Sequence, residues 1–411
     1  MKKERRWTHL LLLAVFVFGG AFYWAMSAAS VSAHQAGEVV MGGWNRPAGT
    51  YNDKGQIVMN VCTEDYKTKS GVVIQADHVN SNALEALING NEAKTIIIPS
   101  GSTVELMNVV HPGSNTTIIA DGATIVMNEK GKGILANRPT AVNYKSIQNI
   151  RIQGGTWKLR DNEEGCSVMR FCHGQNVIID GVTIVSNYEG HAIALIAMKD
   201  TIVQNSTLKV QGTKNKNSVE EALQIDIATP KTAPPLAQYG AQYVKGQTCK
   251  NITIQNNTIE GSRGVCVNFD GSGSKKYINK FHDKITIIGN TITGYSAEGC
   301  VIYNTLNAVV KNNTITTYST LKKKSYSVGL NITIQGKAQK NKMKKAKLIV
   351  ENNRVYGVRQ GMQLVSLTSS KYKKVTVKNN QCYAPKKKNA IMLSKKAAKK
   401  IVNKNNKMFK R

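Results

Sequence analysis

The chain has 411 residues, with 56 Lys and Arg against 25 Asp and Glu, a formal net charge of +31, and 41% apolar residues. That apolar share can build a large core and excludes a disordered polyelectrolyte, while the charge favours polyanionic partners and excludes strongly basic ones. Seven cysteines without CxxC or Cys/His spacing imply neither a zinc module nor a disulfide framework; Cys172, Cys266 and Cys300 fall in or beside apolar segments, where a free thiol packs as a small hydrophobe.

Residues 1–33 read as a signal peptide: a cationic start, an apolar run, and the small residues Val31, Ser32 and Ala33 before a cleavage point. The alternative is an uncleaved N-terminal anchor. No later segment is apolar for long enough to span a bilayer, so no stable membrane insertion is expected after cleavage, and the mature protein is expected to be secreted or at the cell surface. Residues 34–78 form a poorly periodic linker and cap region. The stretch 79–91 predicts a short helix starting at Asn80 or Ser81 and ending at Gly90, followed by a first strand within 94–101. Such a helix would cover the open end of whatever sheet follows.

From there the chain repeats itself. "NITIQNNTIEG" (251–261) returns as "KITIIGNTITG" (284–294), "AVVKNNTITTY" (308–318), "LIVENNRVYGV" (348–358) and "VTVKNNQCYAP" (375–385). Aligned on the apolar residue before the turn, the copies fall at Ile152, Ile179, Val203, Ile254, Ile287, Val310, Val350 and Val377, mostly 23 to 33 residues apart. Alternation of apolar residues gives a strand with one buried face, a short polar corner follows, and a second strand completes each unit. A fixed period in the twenties made of short strands predicts an all-β parallel solenoid of about nine or more coils over 79–411. Asn257, Asn290, Asn313, Asn353 and Asn380 occupy the same corner and are expected to stack into an amide ladder.

Candidate chemistry follows from the outward residues of the second strands. Aligning "EALQIDIA" (221–228) with its neighbours puts Arg170, Ala194, Gln224 and Cys266 in one outward row and Cys172, Ile196, Asp226 and Asn268 in the next. "EGH" (189–191) and "EE" (220–221) stand at equivalent turns, so His191 and Glu221 should be neighbours. Carboxylates, amides and a guanidinium on one face can hydrogen-bond sugar hydroxyls and supply a general acid or base. The catalytic candidates are His191, Glu221, Asp226 and Arg170, with His173 and Glu220 nearby. The binding candidates are Gln224, Asn268, Asp270 and Arg263. An insert at 229–249, rich in Pro and Gly and expected to lack regular structure, would overhang them and bring Tyr239 and Tyr243 as sugar-stacking rings. The residues themselves specify no cofactor, metal or oligomeric state. The C-terminal end is lysine-rich, with no Asp or Glu after Glu351. Its expected partner is an anionic polysaccharide or cell-wall polymer rather than nucleic acid, because the chain is exported and has no recognised reading module.

The "N-x-x-I-x-N-N-T-I" coils, the helix before "TIIIPSG" and the long insert resemble the pectin-lyase-like superfamily of right-handed parallel β-helix proteins over about residues 75–411. The stretch from "VMRFCHGQN" to "NSTLKV" (168–210) also looks like the segment before the active site of polygalacturonases. Their paired aspartates are absent from "EALQID" and "RGVCVNF", and their later Gly-His-Gly and Arg-Ile-Lys motifs are absent too. The lyases of the superfamily imply a basic residue as proton acceptor, here Arg170 or Arg263, and calcium held by aspartates, here Asp226 with Asp270. The expectation is therefore an exported carbohydrate-active protein acting as a lyase or glycosidase on an acidic polysaccharide. The alternative is a non-catalytic surface or matrix protein that binds such polymers through its basic solenoid.

Overall fold

The computed structural model describes residues 38–40, 46–160, 165–187, 190–211, 218–319 and 324–411; the leader lies outside them. The coils stack their strands into three long sheets, of fourteen, eleven and nine strands, and a complete coil contributes one strand to each. The eleven-stranded sheet, from Thr103–Leu106 to Lys407–Lys410, counts eleven coils. All eight aligned apolar residues meet in register: Ile152 pairs with Ile179, Ile179 with Val203, and so on to Val350 with Val377. They are essentially inaccessible to solvent and form one continuous core with the inward residues of the other two sheets. Because each side chain stacks on its equivalent one coil away, roughly 4.8 Å distant, one repeated pattern suffices for the whole length.

The corner between the fourteen- and eleven-stranded sheets explains the doubled asparagines. The first of each pair, as at Asn256 (φ 55°), Asn312 (φ 57°), Asn352 (φ 57°) and Asn379 (φ 55°), takes the left-handed conformation that Asn tolerates, and Gly289 (φ 70°) replaces it once. The second is the ladder: the side-chain amide of Asn257 donates to Asn290 (3.0 Å), Asn290 to Asn313 (3.0 Å), Asn313 to Asn353 (3.0 Å), Asn353 to Asn380 (2.9 Å) and Asn380 to Asn406 (2.8 Å). Each amide also donates to a backbone carbonyl, as Asn290 does to Ile254 (2.9 Å), so a buried polar column is fully satisfied.

At the N-terminal end the fourteen-stranded sheet begins earlier than the sequence suggested. Glu38–Val40, Pro47–Tyr51 and Ile57–Met59 pair antiparallel before the first parallel strand, Lys94–Ile97. Strands this short carry no coil period, which is why they escaped the repeat. The helix spans Ala76–Ile88 and packs on Thr103–Leu106, burying Val79, Ala83, Leu84, Leu87 and Ile88. Asn80 and Ser81 lie inside it and do not start it. The Asn80 amide clasps the backbone N–H and C=O of Cys62 (2.8 and 2.9 Å), and Ser81 Oγ accepts from the N–H of Met107 (2.9 Å). Their buried polar work outweighs their usual preference for caps. No described helix is long and apolar enough to cross a membrane.

Candidate functional site

The outer face of the nine-stranded sheet carries the expected rows. Arg170, Ala194, Gln224 and Cys266 are in register, and Cys172, Ile196 and Asp226 form the row beside them. Glu221 pairs with Arg263, and His191 stands at the equivalent place one coil earlier. The face is far less open than the alternation implied, and several of its residues serve one another.

Arg263 lies between two carboxylates. Its Nη1 is 2.7 Å from Glu221 Oε1 and its Nε is 3.0 Å from Glu298 Oε2; Arg263 is 6% exposed, Glu221 4% and Glu298 0%. The network continues along the coils: Asn331 donates to Glu298 (3.0 Å), and Thr333 and Gln363 both donate to Asn331 (2.8 Å). Asn268 reaches Glu221 Oε1 at 3.4 Å, and Cys266 donates to Asn268 (3.1 Å). The expectation that Arg263 meets a substrate or serves as base is corrected on these contacts. Its guanidinium neutralises two buried carboxylates, and removing it would strand both. Glu298, Asn331 and Gln363 were missed. The available signal was the position of Glu298 two residues before the inward Cys300, matching Arg263 before Val265.

Asp226 points outward but is 1% exposed, with Oδ1 accepting from the N–H of Ile227 (3.1 Å). Burial holds its carboxyl well above the usual carboxylate range, and the negative charge of Glu221 adds to the effect. Asp270 is also buried; Oδ1 accepts from Ser272 N–H (2.9 Å) and from the Ser272 hydroxyl, while Oδ2 has no partner among the described residues. The resemblance implies calcium held by this pair; a calcium ion takes six or more oxygens, and Oδ1 of each aspartate is already engaged, by Ile227 N–H (3.1 Å) and by Ser272 N–H (2.9 Å).

The insert explains the burial. Among residues 229–249, Pro234–Ala237 and Ala241–Val244 form short helical turns rather than irregular chain. Ala233, Leu236 and Val244 pack on Cys172, Ile196 and Ala197, capping the outward row. His173, in the left-handed region (φ 58°), fastens this cover by donating from Nε2 to the carbonyl of Tyr243 (2.6 Å), and its burial pushes the imidazole below its ordinary pKa. Tyr243 is therefore partly buried in the cover, while Tyr239 is 53% exposed. His282, fully buried, accepts from the N–H of Cys249 (3.0 Å) at Nδ1 and donates from Nε2 to the carbonyl of Asn268 (2.9 Å); burial lowers its pKa to about 4.

His191, Arg170 and Gln224 remain at the rim. His191 Nδ1 donates to the carbonyl of Glu221 (2.7 Å), and its Nε2 is 3.7 Å from Glu220 Oε2. Arg170 and Gln224 are half-buried, and the Nε of Arg170 has no hydrogen-bond partner among the described residues.

A second surface lies at the corner between the nine- and fourteen-stranded sheets on the last three coils. It exposes Lys337, Lys340, Lys342, Lys344, Lys345 and Lys347 on one coil, Lys371, Lys373 and Lys374 on the next, and Lys395, Lys396, Lys399 and Lys400 on the last. The corner is ordered by backbone bonds over buried Ala346, Tyr372 and Ala397: Lys373 N–H to Ala346 O (2.9 Å), Tyr372 N–H to Ala397 O (2.9 Å) and Lys399 N–H to Tyr372 O (2.8 Å). Lys347 and Lys374 are in direct register. None of these lysines is paired with a carboxylate among the described residues.

Comparison with known proteins agrees with this architecture. Two structures of the Streptococcus pneumoniae surface adhesin PfbA superpose with TM-scores of 0.54 and 0.51 at 17% identity, covering 81% and 80% of this chain and 93% and 87% of theirs. The likeness is one of fold, a parallel β-helix built from the three long sheets described above. In sequence, the plasmin and fibronectin-binding protein A of Streptococcus pneumoniae is 24% identical over 258 residues, or 52% of this chain. The match spans about a third of that relative's length, 35%. No family model matches the chain.

Proposed function

We propose that this β-helix is a secreted or cell-surface protein that binds an acidic polysaccharide without cleaving it, using the lysine corner of its last three coils. One observation carries the reading: stacked, exposed lysines with no carboxylate beside them. Equivalent positions on adjacent coils are roughly 4.8 Å apart, so these ammonium groups repel one another until a polyanion supplies the opposite charge. Lysines make no bidentate demands and suit a ligand that slides or varies in its spacing. The corner's one aromatic ring, Tyr372, is buried with its hydroxyl on the Thr305 carbonyl (2.8 Å), which leaves nothing there on which nucleic-acid bases would stack. The likeness to an adhesin supports a binding role.

The test is retention on uronate and sulfated polysaccharides as salt rises through the physiological range, where the Debye length is about 8 Å. Retention should collapse with salt, and a Lys373→Gln, Lys374→Gln, Lys399→Gln, Lys400→Gln variant should lose at least tenfold in affinity. Binding indifferent to both changes rules the corner out. A second reading, a lyase or glycosidase, rests on Asp226: burial raises its carboxyl well above the usual carboxylate range, the direction that suits a general acid. Under that reading Asp226→Asn lowers turnover by at least about 10²-fold. Incubating the protein with a panel of acidic polysaccharides, following both unsaturated and reducing ends, separates the two.

A further inference from the structure

We propose that His191, Glu220 and Glu221 form a binding site for a divalent transition-metal cation of the zinc or manganese kind. One ligand atom from each can be chosen so that all three lie within 4.8 Å of one another, and among the described residues no other group of His, Cys, Asp and Glu meets that test. The site goes beyond polysaccharide binding and does not depend on it.

The tautomer of His191 is the first argument. A carbonyl oxygen only accepts, so the 2.7 Å contact to Glu221 O places a proton on Nδ1 and leaves Nε2 to offer its lone pair. A backbone carbonyl behind Nδ1 is the usual support of a metal-bound imidazole. Next, Nε2 is 3.7 Å from Glu220 Oε2, too long for a hydrogen bond. Two ligands each about 2.0–2.2 Å from one ion are held apart by roughly 3 to 4 Å. The spacing is thus that of two donors facing a shared cation.

Glu221 supplies the independent observation. Its side chain is only 5% exposed, and Oε1 is fixed by Arg263 (2.7 Å) and Asn268 (3.4 Å). Oε2 receives no hydrogen bond from a described residue, and the ring atom it approaches is Nδ1 of His191, at 3.8 Å. A buried carboxylate with one oxygen anchored by a guanidinium and the other turned to the edge of the imidazole is held in one orientation by its surroundings. Imidazole with carboxylates selects zinc, manganese and their neighbours over calcium, which prefers an all-oxygen shell. Three protein ligands leave further coordination positions for water.

Calorimetric titration of the full-length protein with zinc and with manganese, in parallel with calcium, tests the site. Manganese binding is also read by loss of its free-ion paramagnetic resonance signal. One equivalent of zinc or manganese should bind, with calcium at least tenfold weaker. Glu220→Gln and His191→Gln should each weaken binding by about 10- to 100-fold or more, while circular dichroism and melting stay as in the parent. Both substitutions leave the Arg263 clamp in place, so a folding failure does not obscure the result. Absence of saturable binding, or unchanged affinity in both variants, overturns the site, and neither outcome bears on retention of polysaccharide by the lysine corner.

Discussion

The two charged regions of this solenoid solve opposite problems. On the nine-stranded face, Glu221, Arg263 and Glu298 alternate in sign along the axis and are buried, each charge answered by the next coil. At the lysine corner every charge has the same sign and every lysine is exposed, with no carboxylate paired to them among the described residues. Coil stacking brings equivalent residues together in both places. Alternation yields an internal clamp, whereas repetition yields an outward field that needs a partner.

The sharpest way to break this comparison is to remove the central charge of the clamp. Arg263→Met should destabilise the fold by about 3–5 kcal/mol, because it leaves two buried carboxylates unpaired. The urea midpoint measures it, and converting Glu221 and Glu298 to Gln as well should recover much of the loss. A near-neutral Arg263→Met would mean that the two carboxylates do not need it.

Acid titration comes next. His282 has its pKa lowered to about 4, so the unfolded chain takes up this proton below its ordinary pKa while the folded chain refuses it. Stability should therefore fall as pH drops from about 6.5 to about 4, by about 3 kcal/mol for this group. Asp226 acts with the opposite sign. Its raised pKa costs stability as pH rises above the ordinary carboxylate value, so Asp226→Asn should be more stable than the parent at neutral pH, with the gain vanishing near pH 4. Melting both proteins across that range checks the two slopes, and an Asp226→Asn protein less stable at pH 7 would show that the carboxyl is held as an anion.

Breaking the amide ladder should cost less. Asn313→Ala removes a fully bonded buried amide and leaves its neighbours partly unsatisfied, for about 1–3 kcal/mol by denaturant titration. The smallest effect belongs to the corner: neutralising Lys374 beside Lys347 should leave stability unchanged or raise it by about 0.2–1 kcal/mol, since it relieves a like-charge neighbour. A clear loss there would mean that the lysines hold the fold.

How much of this was legible beforehand depends on sequence distance. Ile254 and Val377 announce their places because a period of two within a coil and a repeat between coils both point at them. The ladder was legible for the same reason. Arg263 and Glu298 are 35 residues apart, and their contact emerges only when the second strands are counted from their inward residues, Val265 and Cys300. The burial of Asp226 was hidden because alternation gives direction but not cover. The cover comes from Ala233, Leu236 and Val244, three apolar residues in a segment that reads as loop. The lysines were plain as composition, but their gathering on one corner depends on loops of unequal length between sheets.

Those unequal loops expose a division of labour among the corners. From Gly154 onward the corner holding the asparagines always has two residues, whereas the other two range from a single residue to the 23 between Asp226 and Lys250. An amide that must meet its counterpart on the next coil tolerates neither an added nor a missing residue, so that edge works as a ruler for the chain. The remaining edges are left free to vary. A foreign loop grafted into the second or third corner should inherit a fixed address along the axis, set by a column of side chains it never touches.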